Sequence, residues 1–212
     1  MLLNYTLLTG ATGLVGRYLM RDLALRGDRV AVVVRPADGE SAHDRIQSIF
    51  RFWERQLGFE LPLPVCLEGD VALPGLGLDA DSRQWLRAHC NRVIHNAAVL
   101  TFFGVERTSE PWRTNVGGTQ HTLDLMEDLK LRELHYVSTA YVCGMRNGVI
   151  LEDDFTDEFG FRNDYEHSKF ISEQMVRQAP FLDQPTIYRP AVIAGDSVTG
   201  YTNTYHGLFY FL

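Results

Sequence analysis

The stretch TLLTGATGLVGRYL, Thr6 to Leu19, constrains the fold more than any other part of this 212-residue chain. A short apolar run, Tyr5 to Thr9, ends in glycines at 10, 13 and 16, spaced GxxGxxG. Leu14, Val15, Tyr18, Leu19 and Leu23 then recur every three or four residues, the spacing of an amphipathic helix face. Glycines between a strand and a helix meet three demands: a tight turn, close backbone approach to a pyrophosphate, and helix packing on the strand. The helix start adds free N–H groups and the positive end of its dipole, which attract phosphate. Gly10, Gly13 and Gly16 are therefore expected to hold a dinucleotide's pyrophosphate.

The remaining sequence repeats the strand–helix alternation. RVAVVVR, Arg29 to Arg35, is nearly continuous and β-branched, as a strand covered on both faces should be. Ile46, Ile49, Phe50, Trp53 and Leu57 form a second helical stripe. PVCLEGD, RVIHNAA, ELHYVST and PTIYRP read as further strands. Helices are expected over 82–89, 112–129 and 165–178. Six strands alternating with helices give right-handed βαβ units. The predicted fold is α/β: a Rossmann-type, doubly wound parallel sheet with helices on both faces.

Bulk properties narrow the function. A net charge of −7 and the lack of a basic stripe argue against a nucleic-acid surface. No apolar stretch is long enough for a membrane-spanning helix, and the N-terminus lacks a basic signal region. Cys66, Cys90 and Cys143 are odd in number and widely spaced, the pattern of reduced thiols in a cytoplasmic protein. The histidines show no metal-ligand spacing, and the acidic stretch LEDDFTDEFGFRND reads as a solvated loop over the site.

The end of the second strand selects the cofactor. NAD-binding folds usually place an acidic residue there, against the ribose hydroxyls. This chain has Arg35, which can pair with a 2′-phosphate, and Arg45 is a candidate second clamp. NADPH is expected. Asp70, with the Val71 backbone beside it, is placed to meet the adenine.

DYEHSK contains one of two lysines among 20 basic residues. Tyr165 and Lys169 are four apart on a predicted helix and so share a face. The ammonium favours phenolate and is expected to lower the tyrosine pKa, making Tyr165 a proton donor to a carbonyl receiving hydride. Lys169 can also reach a nicotinamide ribose. A third group should hydrogen-bond the reacting oxygen. Thr139 is the choice, at the carboxyl end of the fifth strand, with Ser138 as fallback.

With these pieces in place, the chain resembles the extended short-chain dehydrogenase/reductases. TGATGLVG, GDV at 69–71, HNAA at 95–98, NVGGT at 115–119, VSTAYV, YEHSK and YRP at 188–190 occur in family order. HNAAVLTFFG, VSTAYVCG and RPAVIAGDSVTGYTN are most similar to the fatty acyl-CoA reductase and thioester reductase branch, and so is the Arg35–Arg45 pair. The resemblance implies that Gly10, Thr12, Gly13, Leu14, Val15 and Gly16 hold the pyrophosphate. It implies that Asn96, Ala97 and Ala98 line the middle of the cofactor, and that Pro190, Val192 and Ile193 back the nicotinamide. Thr139, Tyr165 and Lys169 become the catalytic triad, with Asn115 organising polar contacts near it. The implied activity is NADPH-dependent reduction of an acyl thioester, on CoA or a carrier protein, to an aldehyde, which a second round would take to the alcohol.

The alternative within the superfamily is a sugar-nucleotide epimerase or dehydratase, or a hydroxysteroid-type dehydrogenase. Sugar-nucleotide epimerases and dehydratases typically differ around the threonine motif and after the Arg-Pro. A non-catalytic NADP-binding regulatory protein would commonly lose the tyrosine or the lysine, and both are present. Residues 1–195 are expected to form the NADP-binding domain. Residues 196–212, ending in the apolar YHGLFYFL, are expected to begin an incomplete substrate-binding region.

Overall fold

The structure is a computed structural model and describes residues 4–37 and 39–205. Six parallel strands form one sheet: β1 (Tyr5–Thr9), β2 (Arg29–Val34), β3 (Val65–Glu68), β4 (Cys90–His95), β5 (Glu133–Val137) and β6 (Thr186–Tyr188). Their spatial order is β3-β2-β1-β4-β5-β6, with parallel pairing throughout. The chain runs outward from β1 to β3, then returns to the other side of β1 for β4. A crevice opens at that switch point, beyond the carboxyl ends of the strands.

Helices α1 (Leu14–Leu25), α2 (Ala42–Leu57), α3 (Ala80–His89), α4 (Gly118–Leu129) and α5 (Asp164–Gln178) connect the strands. Two apolar clusters form the core. One gathers Leu8, Val30, Val32, Val34, Met20, Ile46, Phe50 and Trp53 between the sheet and α1–α2. The other gathers Leu7, Val33, Leu86, Val93, Met126, Leu134 and Tyr136 beneath α3–α4. Alternate residues of β2 feed opposite clusters, which is why RVAVVV reads as continuous rather than alternating. Each Val or Leu buried this way contributes about 1.5–3 kcal/mol.

The helix expected over 112–129 is not uniform. Arg113–Gly117 form a π-helical turn ahead of α4. The wider turn carries buried Asn115, whose Oδ1 accepts from the Val99 N–H at 2.9 Å. Its Nδ2 donates to the Val99 carbonyl and, at 2.9 Å, to Ser168 Oγ of α5. Such widened turns frequently accompany functional sites.

The glycine loop is fixed by backbone against backbone. Gly10 has φ +68°, and a Cβ there would lie 2.6 Å from the Ala97 nitrogen. A Cβ on Gly16 would lie 2.1 Å from the Gly10 carbonyl oxygen. Gly13 differs: it is exposed, has φ −72°, and its Cβ would meet only the Gly10 oxygen, at 3.6 Å. Gly16→Ala should cost about 3 kcal/mol or prevent folding. Gly13→Ala should fold within about 1 kcal/mol of the natural protein but lose nucleotide affinity. Urea unfolding and a fluorescence titration of nucleotide read the two effects separately.

Candidate active site

All the expected site residues lie toward the carboxyl edge of the sheet, but the structure gives several of them tasks beyond those read from sequence. Thr9, the last residue of β1, is fully buried at the switch point. Its Oγ1 accepts from the Asn96 and Ala97 N–H groups, each at 3.2 Å, and donates to His95 Nδ1 at 2.8 Å. Asn96 Nδ2 returns to the Gly10 carbonyl at 3.1 Å. Asn96 and Ala97 therefore lock the glycine loop onto β4 and do not merely line a cleft. His95 Nε2 meets Thr119 Oγ1 at 3.2 Å, and that hydroxyl donates to the Asn115 carbonyl. The network assigns the proton to Nε2. Burial, with Lys169 nearby, pushes the imidazole down to about 3, so His95 is a neutral structural residue.

At the start of α1, Gly13 is the N-cap and offers no capping side chain, and the first turn holds no acidic residue. The helix N-terminus is thus left for an anion. Thr12, Leu14 and Val15 flank it. The Thr12 carbonyl is turned away and held by Arg17 Nε at 2.9 Å and Asn203 Nδ2 at 3.2 Å. Tyr201 stacks on Phe52 at 4.6 Å and accepts from Arg17 Nη1, so residues 201–203 brace the glycine loop from outside.

Arg35 is exposed and its Nη1 lies 3.5 Å from Asp70 Oδ2. Asp70 Oδ1 accepts from the Ala72 N–H. Arg45 Nη1 donates to the Arg35 backbone carbonyl, which ties the start of α2 to the end of β2. The Val71 carbonyl meets His121 Nδ1 at 3.0 Å, and a Cβ on Gly118 would touch the Val71 side chain, so α4 fixes this loop. Arg35 is exposed and Arg45 half-buried, and each guanidinium retains donors suited to an anion.

The Tyr-x-x-x-Lys pair sits on α5, capped by Asn163, whose side chain accepts from the Glu166 N–H. Thr139 is buried. Its Oγ1 accepts from the Tyr141 N–H at 3.3 Å and donates to the Pro190 carbonyl at 3.4 Å, both long bonds. Its hydroxyl favours the phenolate form of Tyr165. Ser138, the fallback, is committed elsewhere: its Oγ donates to Glu173 Oε2 at 2.6 Å. Val192 and Ile193 are exposed apolar residues following Pro190.

One expectation for the pair changes. Lys169 is 2% exposed and donates to Tyr136 Oη at 2.9 Å and the Val137 carbonyl at 2.8 Å. Its Nζ also lies 4.5 Å from the centre of the Tyr136 ring. Burial pushes the ammonium down to about 8, with Tyr165 and Glu173 opposing. The Tyr165 hydroxyl is held above its usual range, not below it. Burial outweighs the lowering effects of Lys169 and Thr139.

Asn115 spends its side chain on Val99 and Ser168, so it joins the loop after β4 to α5. The acidic loop is anchored as well as solvated: Phe155 stacks on Phe170 at 4.2 Å, and Asp164 Oδ2 accepts from the Gly104 N–H at 2.7 Å. No cluster of metal-ligating groups occurs among the described residues, and no described helix is long and apolar enough to cross a membrane.

Sequence reasoning missed Tyr136, Glu173 and Arg189. Glu173 carried a signal. It lies four residues beyond Lys169, on the same face as the pair, and a carboxylate on a sheet-facing stripe needs a buried partner. Of YHGLFYFL, residues 206–212 lie outside the described residues.

Comparison with known proteins follows this geometry. Residues 8–212 match the NAD-binding family described as male sterility protein. The chain is 32% identical over 219 residues to the L-2-aminoadipate reductase large subunit of Penicillium chrysogenum, covering 93% of this chain and 15% of that protein. It is 26% identical to the fatty acyl-CoA reductase wat of Drosophila melanogaster, covering 94% of this chain and 45% of that one. The crystal structure of the terminal R domain from the myxalamid PKS-NRPS biosynthetic pathway superposes with a TM-score of 0.81 at 30% identity. That match covers 96% of this chain and 52% of the R domain. This chain thus spans about half, or less, of each of these relatives. With its motifs, sheet order and relatives in agreement, the chain belongs to the male sterility protein family of NAD-binding proteins, on the fatty acyl-CoA and thioester reductase branch of the extended short-chain dehydrogenase/reductases.

Proposed function

We propose that this chain carries the nucleotide-binding and catalytic half of an NADPH-dependent reductase of acyl thioesters, carried on CoA or on a carrier protein. What supports the reading is that Lys169 donates to the Val137 carbonyl at the end of the strand that leads into Thr139, with Tyr165 one turn earlier on the same helix, in a chain whose α1 N-terminus carries no capping side chain. The names of the relatives support the substrate class: one is a fatty acyl-CoA reductase, another an R domain of a PKS-NRPS pathway. Gly10 to Gly16 would hold the pyrophosphate, and Arg35 and Arg45 the 2′-phosphate. Asp70 and Val71 would flank the adenine, while Asn96 to Ala98, Pro190, Val192 and Ile193 would flank the rest. Bound NADPH would supply the hydride.

The chain's own residues handle the proton. Tyr165 is protonated at neutral pH because burial disfavours its phenolate, so it is loaded as a donor. It gives its proton to the thioester carbonyl oxygen, which Thr139 also hydrogen-bonds. The phenolate left behind is stabilised by the Lys169 ammonium, still charged below about 8. The product, a hemithioacetal, collapses to an aldehyde and a free thiol. A second round on the aldehyde would yield the alcohol. In this reading residues 1–195 form the nucleotide half, and 196–212 open the substrate-binding region, strapped onto α1 through Tyr201 and Asn203.

The direct test uses the full-length protein with a panel of acyl thioesters, following NADPH and NADH oxidation and assaying aldehyde and alcohol. Thioester-dependent oxidation that prefers NADPH is expected, and Arg35→Ala should reduce the preference. Tyr165→Phe should keep NADPH affinity and lose about 10²-fold or more of turnover. Full turnover in that variant would remove Tyr165 as the proton donor.

The lysine makes a separate prediction. Its ammonium is held down to about 8 in the fold, from an ordinary value of 10.5. Between those values the unfolded chain binds a proton that the folded chain does not, so stability rises with pH across that window. Lys169→Met removes the buried charge. It should melt at or above the natural protein at pH 7, with the difference shrinking as pH rises from 8 to 10, and it should be inactive. Calorimetry across that range checks it.

A further inference from the structure

We infer that Glu173 is a positioning residue for this reaction. One buried carboxylate ties the strand ends that carry Thr139 and Pro190 to the helix that carries Tyr165 and Lys169. The inference rests on the assignment of those four residues to the site.

Glu173 is 0% exposed and lies one turn of α5 beyond Lys169. Its Oε2 accepts from Ser138 Oγ at 2.6 Å. Its Oε1 accepts from Arg189 Nη2 at 2.6 Å and from Arg177 Nε at 2.8 Å, and Arg189 Nε spans both oxygens at 3.1–3.2 Å. Ser138 immediately precedes Thr139, and Arg189 immediately precedes Pro190. Two backbone bonds close the unit: Ser138 N–H to the Tyr188 carbonyl at 2.7 Å, and Ala140 N–H to the Pro190 carbonyl at 2.9 Å. Arg189 Nη1 also donates to the Glu152 carbonyl, which attaches the acidic loop to the same point.

Packing alone would not select this arrangement. Apolar residues of similar volume often replace buried ion pairs with no loss of stability. The carboxylate is hydrogen-bonded to every element that bears a reacting group, and misplacing such groups by an ångström is costly to rate. Its charge reaches the lysine as well. Burial works against the Lys169 ammonium, Tyr165 and Glu173 from α5 favour it, Tyr136 of β5 accepts its hydrogen bond, and neutral His95 of β4 lies behind Tyr136. The other charges at Glu173 are the two arginines, whose removal would leave the carboxylate unpaired.

The test measures NADPH affinity by fluorescence across pH 6 to 10, together with thioester turnover, in the full-length protein. In the natural protein, affinity should fall as pH rises through the titration of Lys169. In Glu173→Gln, the midpoint of that fall should move to lower pH by about one unit. Turnover should drop about 10- to 100-fold with KM changed about twofold or less. Ser138→Ala leaves the carboxylate both arginines and should fold. It should weaken NADPH affinity and turnover severalfold while leaving the midpoint in place.

A folded Glu173→Gln protein with the natural midpoint and turnover would overturn the inference. If that variant does not fold, natural affinity and turnover in Ser138→Ala would do so. A natural protein that binds NADPH but reduces no thioester would defeat the substrate reading. The midpoint shift and the Ser138→Ala affinity would still decide the role of Glu173.

Discussion

The fold depends on one place where three backbone segments touch. Gly10, Gly16 and Ala97 meet so closely that a methyl group on either glycine would overlap main-chain atoms. That contact sets the angle at which α1 leaves β1, and it holds the segment after β4 against the turn. Thr9 fastens it from below through Asn96, Ala97 and His95. The exposed glycine, Gly13, and the uncapped helix start then face the crevice because the other two glycines are used up in packing. The spacing of three glycines therefore serves two purposes, and the packing purpose is the stricter one.

A second constraint is the burial of polar groups beneath the site. Lys169, Glu173, Tyr136, His95, Thr119, Ser168, Ser172 and Asn115 all lie inside, and their hydrogen bonds run continuously from β1 to α5. A buried polar network is stable only when nearly every member is satisfied, and then it specifies one arrangement. Tyr136 shows the consequence. Its hydroxyl is held far above its usual range by burial, so it stays neutral and presents a lone pair to Lys169. The lysine is thereby held in the sheet without a carboxylate in direct contact, which leaves its charge available to Tyr165.

Much of this was legible in the sequence, for identifiable reasons. Strands such as RVAVVV and helices such as α2 follow from periodicity, and the observed boundaries fall within a few residues of expectation. The glycine loop, Tyr165, Lys169 and Thr139 could be singled out because their spacing has chemical meaning on a known element. What was not legible depends on partners distant in sequence. The π turn at Arg113–Gly117 arises because Asn115 reaches Val99 and Ser168, 16 and 53 positions away. The direction of the Tyr165 shift required knowing how deeply the helix is buried, which local spacing cannot supply. Arg189 was visible only as part of YRP, and its partner lies 16 residues earlier on another element.

The opposed shifts of Tyr165 and Lys169 explain why the two residues must be read together. Burial alone would raise the tyrosine and lower the lysine until neither suited proton transfer at neutral pH. Each limits the other's displacement: the ammonium favours the phenolate, and the phenolic oxygen favours the ammonium. In the proposed reaction, Tyr165 would hold its proton at rest and release it when negative charge develops on a neighbouring oxygen. A more exposed pair would titrate more normally but would lose the low dielectric on which the proposed roles of Thr139 and Lys169 depend. Burial would therefore be the source of the proposed site's electrostatic leverage, and the carboxylate one turn further along α5 favours the charged form of Lys169 that burial opposes.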